Sequence, residues 1–553
     1  MPPVRARVLS LFLLAALTFC AGLGRQALSD GDEGYYAEAS REMVESGDWL
    51  TPRFNYEDRW QKPVLYYWVT ATIFSVTGPS EWGARAFSAV SGVLLVLLTF
   101  RIGRRMLDGD DEAWLAAAIV ATCYGYFALA RLALPDLPLA LFITLAIHLW
   151  LDQRYGLAGA ATGLGLLDKG PLAVLIPALV LLPIYWRERR YGTSTAATVS
   201  FSPSHLAIAA AVALVIAAPW YLAMYLTHGT AYLESFFVGD NLERFATSRF
   251  NEPRSLLFYV PVVVGGLFPW MAFLLVLPWR RARALAARTA TLSATEWRLI
   301  LWAAVPLLFF TASIGKQPRY VLPVLPPIAL LVGASLARHV RGAQAGDAGR
   351  TRALSIAVWG TAAVLVVLAA LLFQAGPVLI NVHPWMTLVG VLALALSGVA
   401  LGWTAFRREW QPLPLRMAVS ACAVLLAVQF GLLAGRRPEA VEVLASQIRA
   451  ERRGAETVAT FRVLDRSLGF YSGLELVTIF DEGQLRRYLD SSDRVLVVAR
   501  ARELEAFRAS SPDVKLVALG SVDYIDPASI RLATLLAPDP RRDITDLILV
   551  ANR

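Results

Sequence analysis

The chain is 553 residues long, with 56% hydrophobic and only 17% charged residues. Soluble globular proteins carry about a quarter charged residues, so this composition excludes an ordinary soluble protein and indicates lipid as the main solvent. The formal net charge of +9 does not indicate a nucleic-acid partner, because the arginines of the apolar part lie in short loops between apolar runs.

Long apolar runs recur over residues 1–434 and predict a polytopic α-helical membrane region, because a helical span needs about 20 apolar residues. The predicted spans are 8–27, 84–106, 112–130, 135–151, 155–167, 171–186, 205–227, 255–278, 297–313, 319–337, 353–374, 384–405 and 416–434. The fifth and sixth of these thirteen spans are short, and a re-entrant hairpin remains an alternative for that pair.

Arginine-rich loops predict the orientation of the spans. The loops that share one side contain Arg5 and Arg7, Arg101 to Arg105, 186–190, 279–288, 338–352 and 407–410. The positive-inside rule makes this side cytoplasmic and places the membrane protein in the bacterial inner membrane with its alternate loops facing the periplasm. The segments predicted to face outward are 28–83, 131–135, 168–170, 228–254, 314–318 and the residues after 435.

The first outward loop, 28–83, is predicted to contain two short helices. The run "YYAEASREMVESGDW" has the pattern of an amphipathic helix that follows an acidic start and ends at Gly47. The run "KPVLYYWVTATIFSV" predicts a second helix with Pro63 in its first turn. Its tyrosine and tryptophan residues favour a position in the membrane interface.

The composition changes at residue 435. Five β-rich runs, "TVATFRV", "LELVTIF", "RVLVVAR", "VKLVALG" and "LILVAN", alternate with charged helical stretches up to residue 553. This alternation predicts a soluble periplasmic α/β domain large enough for a core of its own. It contains no histidine, cysteine or glycine-rich phosphate loop, so we place the chemistry in residues 1–434.

Ionisable residues near membrane depth are costly and mark candidate functional sites. Those predicted at the outer surface are Asp30, Asp32, Glu33, Arg53, Lys62, Asp136, Asp168, Lys169, Asp240, Arg244, Glu252, Lys316 and Arg319. The three lysines each stand just before a proline that can begin a helix. A helix N-terminus offers unpaired N–H groups and about half a positive charge, so a neighbouring ammonium completes a phosphate site. The alternative is that each lysine only snorkels to the headgroups.

Carboxylates follow the first predicted span directly, in the run "SDGDEGYY". A carboxylate at this surface can act as a general base on an acceptor hydroxyl or orient a sugar through paired hydrogen bonds. Asp32 and Asp136 also stand where a helix N-cap is expected, and the two roles are not exclusive. Together the cations and carboxylates predict a ligand with a lipid tail and a phosphate, such as a polyprenyl-phosphate sugar, whose leaving phosphate needs charge stabilisation.

Several segments resemble one family. "DEGYYAEASREMVESGDWLTPRFN" and "QKPVLYYWVTA" are similar to the first outer loop of bacterial aminoarabinose transferases, which belong to the protein-O-mannosyltransferase-like membrane glycosyltransferases of the GT-C fold. "LLDKGPLAVLIP", "NLERF" and "SIGKQPRYVLPVLPPIALL" resemble later segments of that group. The resemblance covers about residues 1–335 and implies a GT-C fold of about 13 transmembrane helices.

The resemblance also implies roles for individual residues. Asp32 matches the family's catalytic-loop aspartate, and Lys62 matches a lysine that holds the carrier phosphate. Asp136 and Lys169 match further polar residues of the cavity, and Arg319 matches another phosphate partner. We add Glu33 to the predicted catalytic residues, and Lys316 and Arg244 to the predicted phosphate-binding residues, from their outer position.

This chain departs from the family pattern at three places. Tyr35 stands where aminoarabinose transferases carry an arginine, and Gln61 replaces the acidic residue before their Lys-Pro. Their loop histidine aligns with Glu252, which is therefore a weak candidate metal ligand. The last two positions are associated with a metal in the family, so no cofactor is assigned and dependence on a divalent metal is left open.

These observations predict a glycosyltransferase that moves a sugar from undecaprenyl phosphate to an envelope acceptor such as lipid A on the periplasmic side. One alternative is a protein O-mannosyltransferase. A second is a lipid-linked sugar flippase or transporter, although the sequence shows no paired repeats with broken helices. A third makes the C-terminal domain the functional part and the membrane region an anchor.

Overall fold

The computed structural model describes residues 3–191, 199–248, 253–276, 292–464, 466–525 and 532–553. In chain order its α-helices up to residue 434 are α1 (Val4–Cys20), α2 (Asp32–Ser46), α3 (Leu65–Thr77), α4 (Glu81–Met106), α5 (Asp110–Ala121), α6 (Tyr124–Ala130), α7 (Asp136–Leu151), α8 (Tyr155–Lys169), α9 (Leu172–Tyr191), α10 (Pro203–His228), α11 (Thr230–Leu233), α12 (Arg244–Ala246), α13 (Tyr259–Gly266), α14 (Ala294–Ala312), α15 (Leu325–Gln344), α16 (Ala348–Ala375), α17 (Pro384–Arg407) and α18 (Leu413–Val428).

Short helices of other types join these elements. Glu234–Glu243 and Gln429–Leu433 are π-helical, and 3₁₀ turns occur at Leu256–Phe258, Trp270–Val276, Pro318–Val324 and Gly376–Val378. Helical residues therefore occur at each of the thirteen predicted spans. Among the described residues, seven helices are long and apolar enough to cross a membrane, or eight if the bent pair α5 and α6 forms one span.

Exposed apolar side chains mark the lipid-facing surface of the bundle. In α10, Leu214, Val215 and Leu226 are all exposed, and only 17% of its most apolar stretch is buried inside the protein. A soluble helix would not expose such a surface, whereas lipid tails solvate it. The chain is thus a polytopic helical membrane protein.

The arginine-rich loops meet at one end of the bundle. Arg7, at the start of α1, contacts Asp111 at the start of α5, and Arg341, near the end of α15, lies 2.5 Å from Glu112. Trp114 donates a hydrogen bond to Ser10 at the same end. The predicted inner loops that flank these helices therefore share one side, and the outer loop 28–83 follows the opposite end of α1.

The predicted helix in the outer loop is present as α2, which ends at Gly47 with a left-handed φ of 70°. The second helix, α3, begins at Leu65, so Pro63 precedes the helix and does not occupy its first turn as expected. A small antiparallel pair, β1 (Arg53–Phe54) and β2 (Glu57–Asp58), connects α2 to α3.

Residues after 435 form helices around one five-stranded sheet. The five β-rich runs of the sequence correspond to β3 (Thr457–Phe461), β4 (Leu476–Ile479), β5 (Val495–Arg500), β6 (Val517–Tyr524) and β7 (Thr545–Ala551). The helices are α19 (Ala440–Glu451), α20 (Leu468–Ser472), α21 (Glu482–Leu489), α22 (Ala501–Ser510), α23 (Leu532–Leu536) and α24 (Pro540–Asp543). The strand order is β4-β3-β5-β7-β6, with β3 parallel to both β4 and β5 and the remaining pairs antiparallel.

Candidate active site

A cavity of about 590 Å³ opens where α2, α7, α8, α9 and the segments around residues 240 and 319 meet. Pockets of this size hold small ligands or the headgroup of a lipid. Its polar lining includes Asp32, Tyr35, Arg59, Gln61, Lys62, Asp136, Lys169, Asp240, Asn241, Arg244, Arg319, Tyr320 and Arg466. Its apolar lining includes Leu172, Leu175, Phe237, Leu242, Phe245, Phe309 and Phe310.

Cations and carboxylates alternate along one wall of this cavity. Lys169 lies 2.5 Å from Asp136, which Arg319 also contacts at 3.4 Å, and Arg319 forms a further ion pair with Asp32. Asp136 is only 5% exposed and Lys169 only 8% exposed, so bulk water solvates neither charge well. Buried charges require partners of this kind.

A second ion-paired group lies in the same cavity. Asp240 pairs with Lys62 and, at 2.5 Å, with Arg244. Tyr320 joins the two groups, because it hydrogen-bonds Arg244 and its ring lies 5.3 Å from the Lys169 ammonium. The structure therefore brings together four of the five predicted phosphate-binding residues.

Close backbone packing positions two of these cations. Gly159, on α8, approaches the α10 backbone so closely that a Cβ atom there would lie 2.3 Å from the Ala209 carbonyl oxygen. This contact fixes the helix that ends at Lys169. At Gly315 a Cβ atom would lie 2.0 Å from the Arg244 carbonyl oxygen, so only glycine allows the segment beside Arg244 to adopt this position.

Asp32 and Asp136 do not act as the helix N-caps that were expected as an alternative. The N-cap positions of their helices are Gly31 and Pro135, and neither helix has a side-chain cap. Both carboxylates are instead the first residues of their helices. Their carboxylates point to cationic side chains of the cavity.

The Asp32 carboxyl is held in its charged form. Burial is the largest single effect and raises its pKa, whereas the charge and hydrogen bond of Arg319 lower it. Arg466 and Arg59 lower the pKa further, so that it lies below the ordinary aspartate value. The group is therefore a carboxylate at neutral pH.

Two predicted site residues lie outside the cavity lining. Glu33 is 1% exposed and binds Arg85 through two hydrogen bonds of 2.7 and 3.0 Å. Lys316 is 3% exposed and donates to the Ser313 carbonyl oxygen. The structure thus places both residues in the walls that support the site and not among the groups facing a ligand.

The sequence left a divalent metal open, and the described residues do not assemble a site for one. There, no three His, Cys, Asp or Glu side chains come close enough to hold an ion, and Glu252 lies outside the described ranges. Gln61 lines the cavity, but each of the three cavity carboxylates is already paired with lysine or arginine. These residues do not fit a divalent cation, and we derive no step through one.

Four residues of the polar lining were not named in the sequence analysis: Arg59, Asn241, Tyr320 and Arg466. Arg59 and Tyr320 are close in sequence to Lys62 and Arg319, so the motifs themselves carried a signal. Arg466 lies in the segment between β3 and α20, beyond residue 435, and nothing in its local sequence points to a site. Only the tertiary fold brings it beside Asp32.

Comparison with known proteins identifies this arrangement. A family model described as dolichyl-phosphate-mannose-protein mannosyltransferase matches residues 10–233. The undecaprenyl phosphate-alpha-4-amino-4-deoxy-L-arabinose arabinosyl transferase 2 of Pseudomonas fluorescens (strain Pf0-1) is 31% identical over 486 residues, which are 84% of this chain and 82% of that protein. The chain belongs to this family of membrane glycosyltransferases. The arabinosyl transferase of Edwardsiella ictaluri is 28% identical and covers 90% of each chain.

Solved structures support the same fold for this arabinosyl transferase family member. ArnT from Cupriavidus metallidurans bound to undecaprenyl phosphate matches 100% of this chain and 99% of its own, with a TM-score of 0.72 and 21% identity. The archaeal oligosaccharyltransferase AglB from Archaeoglobus fulgidus matches 89% of this chain and 69% of its own, with a TM-score of 0.51 and 14% identity. The GT-C fold predicted from the sequence is confirmed.

Proposed function

We propose that this chain transfers a sugar from undecaprenyl phosphate to lipid A or a related envelope acceptor at the periplasmic face of the inner membrane. The observation that carries the proposal is one cavity that joins a lipid-facing apolar rim to paired cations and carboxylates. At the rim, Leu175, Phe237 and Leu242 are exposed, which suits a polyprenyl tail that stays in the bilayer. The relatives' names supply 4-amino-4-deoxy-L-arabinose as the first donor sugar to assay.

The cations would hold the carrier phosphate. In the reaction an acceptor oxygen forms a bond to the anomeric carbon while the bond from that carbon to the phosphate oxygen breaks. The electron pair leaves with undecaprenyl phosphate, whose growing negative charge needs fixed positive groups nearby. Lys62, Lys169, Arg244 and Arg319 supply such groups in this cavity.

Asp32 would orient or activate the acceptor. It is 39% exposed at its side chain and faces the cavity, whereas Asp136 is enclosed between Lys169 and Arg319. We therefore assign Asp136 the role of positioning those two cations. Glu33, which is enclosed with Arg85, would act indirectly by holding α2 in place.

We further propose thirteen transmembrane spans, an outer loop 28–83 and a separate periplasmic domain at 435–553. The helices at each predicted span and the sheet after residue 435 support this division. The positions of the arginine-rich loops support an active site on the periplasmic side. Membership of a transferase family favours an enzyme over the alternative of a lipid-sugar flippase.

Protein O-mannosylation is the second candidate, because the mannosyltransferase family model matches residues 10–233. The relatives that match most of the chain are arabinosyl transferases, which favours the first proposal.

The test uses purified protein in detergent with radiolabelled undecaprenyl-phosphate aminoarabinose, offered lipid A or a serine- and threonine-rich peptide. We expect label in lipid A, at least about tenfold less of it with D32N, and none in the peptide. Label in the peptide alone, or in neither acceptor, would reject the proposal. A lipid A mass spectrum from a deletion strain provides the matching test in cells.

A further inference from the structure

One of the five histidines of the chain stands at the end of α10, against the loop between α2 and α3. His228 is the last residue of α10, and Gly229 follows it with a left-handed φ of 66° that ends the helix. The His228 side chain is only 15% exposed, so neighbouring residues enclose most of the ring. An imidazole changes its charge between about pH 5 and 8, a range in which most other side chains keep theirs.

Both ring nitrogens of His228 face the loop between α2 and α3. Nε2 lies 2.8 Å from the hydroxyl of Thr51, which is only 3% exposed. Nδ1 lies 3.7 Å from a carboxylate oxygen of Asp58, and the Trp60 ring covers the imidazole with 5.4 Å between the ring centres. A neutral imidazole is therefore held by the hydrogen bond with Thr51, whereas a protonated imidazole gains an ion pair with Asp58 as well.

The charged groups near this contact set its strength. Arg53 lies 3.3 Å from Asp58 and 3.2 Å from Asp48, and the Asp58 side chain is 36% exposed. Residues 220–233, which include the last turns of α10, contain no charged side chain besides His228. Arg53 and water thus offset part of the Asp58 charge, and the proton on His228 adds a modest attraction, as is usual for partly exposed ion pairs.

The contact joins the two segments that carry the ion pair between Lys62 and Asp240 in the cavity. Asp58 stands four residues before Lys62, and His228 stands twelve residues before Asp240. Tyr232, between His228 and Asp240, is fully buried, so the path from the helix end to the cavity is firmly packed. A change in the distance between His228 and Asp58 is therefore transmitted to the position of Lys62 relative to Asp240.

We propose that His228 is a positioning residue of the donor site. Its imidazole ties the segment of Lys62 to the segment of Asp240, and protonation tightens this tie, so the cavity binds the donor phosphate more firmly as pH falls. The inference rests on the proposed function, in which Lys62 helps to bind the carrier phosphate. No proton passes to a substrate, because His228 acts only through the position of Lys62.

The first experiment compares the donor KM of the unmodified protein and of H228Q across this pH range. The glutamine amide can still hydrogen-bond Thr51 near the position of Nε2, but it cannot take up a proton. We expect equal donor KM values at about pH 8 and a KM about threefold higher in H228Q at about pH 5.5, the size expected for a partly exposed ion pair. Titration of the substrate and of the other site residues is common to both proteins and cancels in the KM ratio.

H383Q is the matched control, because His383 is an exposed histidine at the N-cap position of α17 and does not line the cavity. Its KM ratio to the unmodified protein should stay constant with pH. D58N removes the partner of the proposed ion pair and should reproduce the pH-dependent ratio of H228Q. The double variant should add nothing further, because both changes remove the same interaction. A KM ratio for H228Q that is the same at every pH, or additive effects of the two changes, would overturn the inference.

The second experiment measures binding without turnover. Undecaprenyl phosphate is titrated into the unmodified protein and into H228Q at the same two pH values, and binding is followed by native mass spectrometry. We expect equal affinities at the higher pH and about threefold tighter binding by the unmodified protein at the lower pH. Equal affinities at both pH values would refute the role of His228 even if sugar transfer occurs. A pH-dependent difference in affinity without any sugar transfer would reject the proposed function and leave the role of His228 standing.

Discussion

At the scale of single residues, the site depends on charges that are held close to one another and away from water. Asp32 shows how the balance works. Burial alone would raise its pKa, but Arg319 opposes this effect with both its charge and a hydrogen bond. The carboxylate therefore stays ionised as pH falls below the usual range of aspartate, which keeps it available to an acceptor.

Replacing Arg319 should reverse that balance. In R319Q the first opposing charge is lost while burial remains, so the pKa of Asp32 rises. The group that must be ionised then becomes protonated at a higher pH, and the acid limb of the pH profile of kcat/KM should move to higher pH. The measurement is the pH profile of sugar transfer in detergent, with each profile scaled to its own maximum.

R298Q serves as the control for this experiment, because Arg298 pairs with Glu188 far from Asp32. Its acid limb should overlay that of the unmodified protein. If R319Q lowers the rate equally at every pH without moving the acid limb, Asp32 is not the group that this limb reports.

At the scale of elements, the orientation of α2 depends on an ion pair on its buried side. Arg85, on α4, binds Glu33 through two nitrogens and also donates to the carbonyl oxygens of Leu23, Gln26 and Ala27. Glu33 in turn accepts from the Ala133 backbone. This ion pair thus ties the segment after α1, the start of α2 and the segment before α7 together.

Breaking this pair should destabilise the protein and disturb the site indirectly. E33Q leaves the Arg85 charge buried without its counter-charge, and the loss of one partner of a buried pair costs about 3–5 kcal/mol. We expect a lower unfolding temperature in detergent and a lower kcat with little change in the donor KM. The measurements are thermal unfolding and steady-state kinetics on the same preparation.

E45Q is a control on the same helix. Glu45 pairs with Arg41 one turn away but is half exposed, and such surface pairs contribute only about 0–1 kcal/mol. Equal unfolding temperatures for E33Q and E45Q would contradict the role assigned to the buried pair.

Most of these elements could be predicted from local sequence. Apolar runs predicted the helices of the membrane region, and alternating β-rich runs predicted all five strands after residue 435. These patterns can be seen within a single segment, because each segment's own side chains must suit the lipid or water around it. The start of α3 was misplaced by two residues, because Pro63 fits a first turn as well as the position before one.

The site was predicted less completely, for reasons of geometry. Glu33 follows Asp32 directly, but neighbouring helix residues point in different directions, so one faces the cavity and the other Arg85. Lys316 is three residues from Arg319 and yet turns back to its own backbone. Nearness in sequence to a site residue identified the correct region of the chain. The direction of each side chain, which the sequence does not show, determines which residue faces the cavity. Arg466 was beyond such reasoning because its contact with α2 spans more than 400 positions.

At the scale of the whole molecule, the C-terminal region is attached to the membrane region through the loop that follows α1. Ala27 donates to Glu439 and Leu28 donates to the Tyr471 hydroxyl, both at 2.7 Å. The Asn55 side chain exchanges two hydrogen bonds with the Leu476 backbone. The loop that carries Asp32 is therefore held between the membrane region and the C-terminal region. The position of the C-terminal region thus influences the geometry of this loop.

Asp30 is the point where this attachment can be tested without altering the cavity. D30A removes the acceptor of two backbone N–H groups and one hydroxyl, and each buried donor left without a partner costs about 1–3 kcal/mol. The segment that carries Arg466 should then detach from α2 part of the time. We expect faster hydrogen exchange at Arg466 and Ser467, a higher KM for lipid A and an unchanged affinity for undecaprenyl phosphate.

E57A is the matched control, because Glu57 is an exposed carboxylate in the same loop. Faster exchange with no change in the lipid A KM would show that the docked segment serves stability alone, whereas a parallel loss of donor affinity would show that the two halves of the cavity are not separable.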